Sequence, residues 1–150
     1  MSPFGRLRAR WGRLPRTVRD EIAADEVIVL AEGMFGSVTY RHVRAPRLYT
    51  SWGKNAVFGA VLVTHTRVVV STGHGADIEN GRFKHIDIPA DHPIRAQLEV
   101  SVERPGRLLI AYDPAIARSD MSGRIEIRFH TSDAQRIADA LTGRAVVQDV

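Results

Sequence analysis

The sequence contains no cysteine, which excludes disulfides, thiolate metal sites and thiol chemistry. It also lacks a long apolar run. A helix that crosses a bilayer needs roughly 20 apolar residues, whereas the longest run here, residues 56–63, is short and contains Gly59. No apolar segment follows the basic N-terminus, so a secretory signal is not expected. These absences favour a cytoplasmic protein.

Motifs of the common enzyme classes are missing as well. The chain has no G-x-S-x-G nucleophile turn, no Walker phosphate loop and no H-E-x-x-H metal motif. We therefore expect a protein that is not an enzyme and that needs no cofactor.

The histidines offer one weak candidate metal site. His85 and Asp87 share a face of a predicted strand, and Asp91 and His92 follow in the next loop. Histidine together with carboxylates suits several divalent ions, so a metal-dependent hydrolase is one alternative. The simpler interpretation is a solvated strand face followed by a loop, because alternation along a half-buried strand requires outward polar residues. We expect the simpler arrangement and no metal.

The positive charge is concentrated at one end of the chain. The protein has 150 residues, enough for a single domain, and a formal net charge of +4. Residues 1–19 contain six arginines and no acid, which leaves 15 basic against 17 acidic residues in 20–150. The sequence is therefore that of a near-neutral domain with a basic N-terminal arm.

Strand patterns dominate the middle of the chain, and a helix follows them. Residues 45–46, Ala-Pro, mark a turn or kink between two strands. Ser132 with Gln135 resembles a capping box, apolar residues recur at helical spacing up to Leu141, and Gly143 can end the helix. We expect helices at 15–24 and from 132 to 141, and strands at 26–31, 37–44, 47–52, 57–64, 67–72, 84–88, 97–103, 107–112 and 124–130.

One segment is similar to a known family. Residues 59–70, G-A-V-L-V-T-H-T-R-V-V-V, resemble the G-x-L-x-L-T-x-x-R-L-V-V hairpin of bacterial pleckstrin-homology-like (PH-like) and GRAM-like domains. The final strand and helix also resemble theirs. The resemblance implies a bent antiparallel sheet, forming a partly open barrel capped by the C-terminal helix. The expected organisation is an arm and short helix at 1–25, the PH-like domain at 26–143 and a tail at 144–150.

The resemblance also bears on ligands. PH domains that bind phosphoinositides resemble one another in a basic cluster around the first hairpin loop. The matching loop here is residues 31–37, with one acid and no lysine or arginine. Headgroup binding is therefore not expected at that loop.

The basic arm carries an apolar stripe. Phe4, Leu7, Trp11, Leu14 and Val18 fall within an arc of roughly 80° on an ideal helical wheel, away from the arginines. This is typical of a helix lying in a membrane interface. The alternatives are that the stripe packs on the protein's own body or that the arm is disordered, since Gly5, Gly12 and Pro15 weaken a helix. The predicted contact residues for a membrane or partner are Phe4, Arg6, Leu7, Arg8, Arg10, Trp11, Arg13 and Leu14.

The sequence thus predicts a non-catalytic binding or scaffolding module. Its expected partner is a protein or an anionic membrane surface, reached from the cytoplasmic side through the arm, and an exposed sheet edge could add a strand or join two copies. Nucleic acid ranks lower, because a lone basic arm gives only salt-sensitive, non-specific binding. A carrier with a small-molecule or lipid cavity inside the curved sheet is a further alternative.

Overall fold

The computed structural model describes residues 13–14, 16–22, 27–73, 84–116 and 118–143, without the side chains of residues 16, 17, 84 and 85. Within them, two short helices and two 3₁₀ turns (Pro93–Gln97 and Pro114–Ile116) accompany seven strands. The helices are α1 (Arg16–Asp20) and α2 (Ala134–Leu141), and the strands are β1 (Val27–Ala45), β2 (Leu48–Thr64), β3 (Arg67–Gly73), β4 (Lys84–Pro89), β5 (Glu99–Arg104), β6 (Arg107–Tyr112) and β7 (Ser122–His130).

The strands form one antiparallel sheet in the order β4-β3-β2-β1-β7-β6-β5. In the described part of the chain β4 and β5 are its two edges, and the sheet is not closed. The central pair, β1 and β2, is long enough to belong to both halves of the sheet, since it contacts β7 on one side and β3 on the other. The predicted class, mostly β with a C-terminal helix and a short N-terminal helix, is confirmed.

The core lies on the inner face of the bent sheet. Ile127 and Phe129 of β7 and Leu108 of β6 are fully buried there. In β7 this follows from the alternation of apolar and polar residues. Helix α2 packs Ile137 and Leu141 against the same cluster. Each Å² of apolar surface removed from water contributes roughly 25 cal/mol to stability, so this cluster is the main stabilising element.

The ends of α2 differ in part from the sequence prediction. The Ser132–Gln135 capping box is wrong: the helix begins after Asp133 and has no side-chain cap, and Gln135 instead donates to Asp139 Oδ1 at 3.0 Å. Gly143 does adopt the left-handed conformation (φ 80°). At this end Arg95 donates to the carbonyls of Ala140 and Leu141, at 2.7 and 3.0 Å. Its charge satisfies orphan carbonyls where the helix dipole is negative.

The segment that precedes β1 packs on the outer face of the sheet. Leu14 and Val18 are 3% and 1% exposed and contact a cluster on β2 and β3 that includes Leu62 and Val69. The backbone N–H of Leu14 donates to Glu32 Oε2 at 2.8 Å. The apolar stripe therefore packs on the protein's own body at these two positions.

Strand β1 corrects the predicted position of the first hairpin loop. Residues 31–37 lie inside a continuous strand, with a register shift between Ala31 and Met34, and the turn comes later, at Pro46 and Arg47. The PH-like resemblance implies a loop in this stretch. Gly36 is there for a steric reason: a Cβ at that position would lie 1.7 Å from the carbonyl oxygen of Arg128 on β7.

Candidate functional site: the tip of the first hairpin

The β1–β2 hairpin extends well past strand β3. Pairing between β2 and β3 covers only residues Phe58 to Val63, whereas β1 and β2 stay paired as far as Ala45 and Leu48. The ten residue steps from Leu48 to Phe58 correspond to roughly 33 Å of extended chain. Residues 44–52, here called the hairpin tip, therefore lack a neighbouring strand on the β2 side among the described residues, while on the other side β1 stays paired with β7 as far as Arg44.

Large apolar side chains are exposed at the hairpin tip. Leu48, Tyr49 and Trp52 are 61%, 52% and 59% exposed, more than any other large apolar side chain in the described residues. Three such residues within five positions of one strand are a local concentration of exposed apolar surface, and alternation places Leu48 and Tyr49 on opposite faces of that strand. Tryptophan and tyrosine have an apolar ring and a polar atom, which suits the boundary between water and lipid.

The same tip is positively charged. Arg44 and Arg47 form no ion pair with a carboxylate in the part of the chain that the structure describes. No Asp or Glu occurs between Glu32 and Asp77 in the sequence. The Arg44 guanidinium lies 4.9 Å from the centre of the Tyr49 ring, a cation–π contact. Cations and aromatic rings are thus presented together.

The turn holds Arg47 in an unfavourable backbone conformation. Its φ is 63°, in the left-handed region where glycine or asparagine is preferred. Pro46, just before it, fits the first central position of such a turn because its ring fixes φ near −65°. An arginine where glycine would cost less is the kind of local strain that marks functional surfaces.

Behind the tip, a charged network braces the hairpin against β7. Glu126, whose side chain is 7% exposed, accepts from Arg41 Nε and Arg124 Nε at 2.8 Å each and from Arg128 Nη1 at 3.3 Å. Burial raises the pKa of Glu126, but the hydrogen bonds from Arg124, Arg41 and Arg128 outweigh it and lower the pKa to about 2. Glu126 therefore stays ionised and links β1 to β7.

Acid should weaken this brace. Because the folded pKa of Glu126 lies below its ordinary 4.5, its contribution to stability is present above about pH 4.5 and is lost as the pH falls towards 2. The shift corresponds to about 3 kcal/mol at most, which we reduce to about 1–2 kcal/mol because Arg41 and Arg124 are partly solvent-screened. Urea unfolding should show Glu126→Gln less stable than wild type at pH 7, with the difference shrinking by pH 2.5. The exposed pair partner Asp120→Asn is the control, and equal acid sensitivity of all three proteins would contradict the assignment.

The sequence-predicted contact residues have different outcomes. Leu14 is buried against the sheet and cannot contact a membrane in this arrangement, because β2 and β3 cover it. Arg13 is exposed. The remaining six lie outside the described residues, so their contact with a membrane or partner stays a prediction: Phe4, Arg6, Leu7, Arg8, Arg10 and Trp11.

The weak metal candidates are not brought together. Asp87 is held by two hydrogen bonds of 2.7 Å from Arg67, and His92 Nδ1 accepts the backbone N–H of Ile94 at 3.1 Å. Asp91 is exposed, and the side chain of His85 is outside the described set. Among the described residues there is no group of His, Asp and Glu that could hold a metal ion.

The inner face of the sheet is occupied where a carrier would need its cavity. Phe129 is fully buried, and its ring lies so close to Gly59 that a Cβ there would be 2.6 Å from two ring carbons. The cavities that the structure does show are depressions on the surface, one of which lies on the outer face of β1, β2, β6 and β7.

Comparison of the sequence with protein-family models and with curated proteins finds no significant match. In the described residues, no helix is both long and apolar enough to span a bilayer.

The hairpin tip could not be found from composition alone. The sequence shows Leu48, Tyr49, Trp52 and three cations within a strand-like region, which would be ordinary if the strands were paired on both sides. Only the early end of β3 leaves them exposed. The available signal was the long stretch without acids together with Pro46 between two strands.

Proposed function

We propose that this protein is a non-catalytic, PH-like binding module that docks on an anionic membrane surface through its hairpin tip. The observation that carries the proposal is the exposure of Leu48, Tyr49 and Trp52 next to Arg44 and Arg47, which form no ion pair with any described carboxylate. The sheet order and the capping helix are consistent with the PH-like resemblance, which otherwise rests on one hairpin motif.

Both parts of the tip favour a membrane over a protein surface. Each arginine or lysine near an anionic surface contributes about 1 kcal/mol. The apolar side chains add the free energy of leaving water, about 1.5–3 kcal/mol for each large side chain that becomes fully buried. A hairpin turn with exposed apolar side chains can insert over a small area, whereas a flat protein interface needs a broad complementary area of about 800 Å² on each partner.

The arm provides a second basic element in the same proposal. Residues 1–19 contain six arginines, while α1 and the segment before it are anchored on β2 and β3 through Leu14 and Val18. We propose that arm and tip both face the membrane, with the tip as the inserting part. This combination of two weak contacts is the usual requirement for stable peripheral binding. We propose the inner face of the membrane as its location, because the anionic cytoplasmic leaflet would attract both basic elements.

The test is co-sedimentation of the full-length protein with vesicles. Binding is expected to vesicles that contain phosphatidylglycerol and not to phosphatidylcholine alone. The double variant Leu48→Ser/Trp52→Ser should bind at least about tenfold more weakly. It loses the free energy of transferring two apolar side chains from water to lipid, while every charge remains. Leu30→Ser is the matched control, since Leu30 is also an exposed leucine (38%) but lies away from the tip. Unchanged binding by the double variant would contradict the proposal.

A further inference from the structure

A depression of about 460 Å³ lies on the outer face of the sheet, between β1, β2, β6 and β7. We call it the outer-face pocket. Its lining contains five side chains that can donate to an anion and no carboxylate. The lining residues are Phe35, Gly36, Ser37, Lys54, Ala56, Arg107, Arg128 and His130.

The depression exists because small residues pair across β1 and β2. Ser37 lies directly opposite Ala56 on one side and Arg128 on the other. The row before this one has Phe35 opposite Phe58, and the row after it has Thr39 opposite Lys54. Small side chains between two rows of larger ones leave a hollow, which Lys54 and Arg128 border.

The cations around the hollow exceed the acids, and one of them, Arg128, is held firmly in place. Arg128, with its side chain 14% exposed, is fixed by Glu103 at 2.9 and 3.3 Å. Arg107 Nε lies 3.1 Å from the same carboxylate, but it is buried and makes no hydrogen bond there. Lys54 has no hydrogen bond or ion pair within the described residues. On this face five cations surround three carboxylates, an excess of two positive charges: Arg41, Lys54, Arg107, Arg124 and Arg128 against Glu99, Glu103 and Glu126.

The direction of the free donors indicates which anion fits. A planar carboxylate is best bound by the two-pronged fork of one arginine. The fork of Arg128 is already occupied by Glu103. The remaining donors are Lys54, Ser37, Arg107 and His130, which lie on four different strands. Separate donors from several directions suit a tetrahedral, multiply charged group with several acceptor oxygens.

An aromatic wall closes one end of the pocket. Phe35 stacks on His130 with ring centres 6.0 Å apart and 17° between the planes, and Phe58 lies 5.5 Å from Phe35. A planar or apolar group attached to the anion would contact Phe35. From the charge, the donors and this wall we propose that the outer-face pocket binds a phosphate monoester.

The pocket contains no residue of the hairpin tip and does not rest on the proposed membrane docking. Along strand β2, Ala56 lies about 26 Å from Leu48 and about 13 Å from Trp52, and Lys54 at the border of the pocket lies about 7 Å from Trp52. The same phosphate chemistry could come from a soluble phosphorylated compound or from a lipid headgroup with a terminal phosphate. The two sources are distinguished by experiment.

Isothermal titration calorimetry of the full-length protein with phenyl phosphate tests the pocket. Phenyl phosphate should bind at least tenfold more tightly than benzoate. Lys54→Met should weaken binding at least tenfold, and Ala56→Leu should do the same by filling the hollow without changing any charge. Lys84→Met, the same substitution at the other lysine of the chain, is the control and should leave binding unchanged. Equal binding of phenyl phosphate and benzoate, or no loss in the Lys54 and Ala56 variants, would overturn the proposal.

Vesicles identify the source of the phosphate. If the ligand is a lipid, Lys54→Met should lower binding to vesicles with phosphatidic acid, which ends in a monoester, and not to vesicles with phosphatidylglycerol. If the ligand is soluble, the wild type and Lys54→Met should bind equally well to both kinds of vesicle, while Lys54→Met still loses its affinity for phenyl phosphate. Either result supports the site. The tip variant Leu48→Ser/Trp52→Ser should keep its affinity for phenyl phosphate, so failure of the pocket and failure of the membrane proposal give different results.

Discussion

Gly36→Ala should prevent the protein from folding stably. A Cβ on Gly36 would lie 1.7 Å from the carbonyl oxygen of Arg128, and this neighbour is backbone, which cannot rotate away. Relief requires β1 and β7 to separate at the centre of the sheet, where Gly36 is paired with Phe129. Overpacking usually costs about 1–3 kcal/mol, and disruption of a central strand pair should exceed this and remove much of a total stability of about 5–15 kcal/mol.

Gly53→Ala is the matched control for this prediction. Its Cβ would have its nearest neighbours at 3.4 and 4.0 Å, both flexible side-chain atoms, so the free energy of unfolding should change by less than about 1 kcal/mol. Circular dichroism and urea unfolding of the purified proteins provide the comparison. A Gly36→Ala protein as stable as Gly53→Ala would mean that the β1–β7 register is different from the one described here.

Reversing the charge of the tip should abolish vesicle binding. At about 1 kcal/mol per cation near an anionic surface, Arg44→Glu/Arg47→Glu removes two attractions and adds two repulsions, a change of about 4 kcal/mol. Binding should fall by at least about 100-fold, which is below detection by sedimentation. Vesicle binding by the wild type should weaken as the salt concentration is raised, because interactions between exposed charges are screened beyond about 10 Å at an ionic strength of 0.1 M.

A second double variant, with the same net charge as the tip variant, distinguishes the effect of the tip's own charges from that of the protein's overall charge. Arg104→Glu/Arg136→Glu also makes two reversals, on exposed residues of β5 and α2. Both double variants lower the formal net charge of +4 by the same amount. The Arg104/Arg136 variant should retain most of its binding. If both variants lost binding equally, the overall charge of the protein, rather than the hairpin tip, would determine docking.

The sequence predicted correctly the strands in which buried and exposed residues alternate. It misplaced the features whose position depends on which strands pair with each other. In β7 the alternation of Ile125, Ile127 and Phe129 with polar residues predicted the inner face correctly. Residues 31–37 were predicted to be a loop because they match the first hairpin loop in the PH-like resemblance. The close approach of β7 to Gly36, which is the reason for that glycine, is a contact between residues far apart in the chain.

The candidate sites depend on this long-range register even more strongly. No local pattern places Ser37 beside both Ala56 and Arg128, or ends β3 before it reaches the hairpin tip. The apolar stripe of the arm, in contrast, could be read from spacing, and Leu14 and Val18 of that stripe pack on the sheet. Helical spacing shows that a face is apolar but not whether it contacts lipid or the protein itself.

The central claim, that the hairpin tip is the part that inserts into the membrane, can be tested with the two tryptophans of the chain. Trp11 lies in the basic arm and Trp52 in the hairpin tip, so Trp11→Phe leaves Trp52 as the only indole reporter. Added to vesicles with phosphatidylglycerol, this variant should show a blue shift of its emission and quenching by brominated acyl chains. The complementary variant, Trp52→Phe, reports on the arm under the same conditions. Vesicle binding with an unchanged Trp52 spectrum and a shifted Trp11 spectrum would contradict the account and assign insertion to the arm.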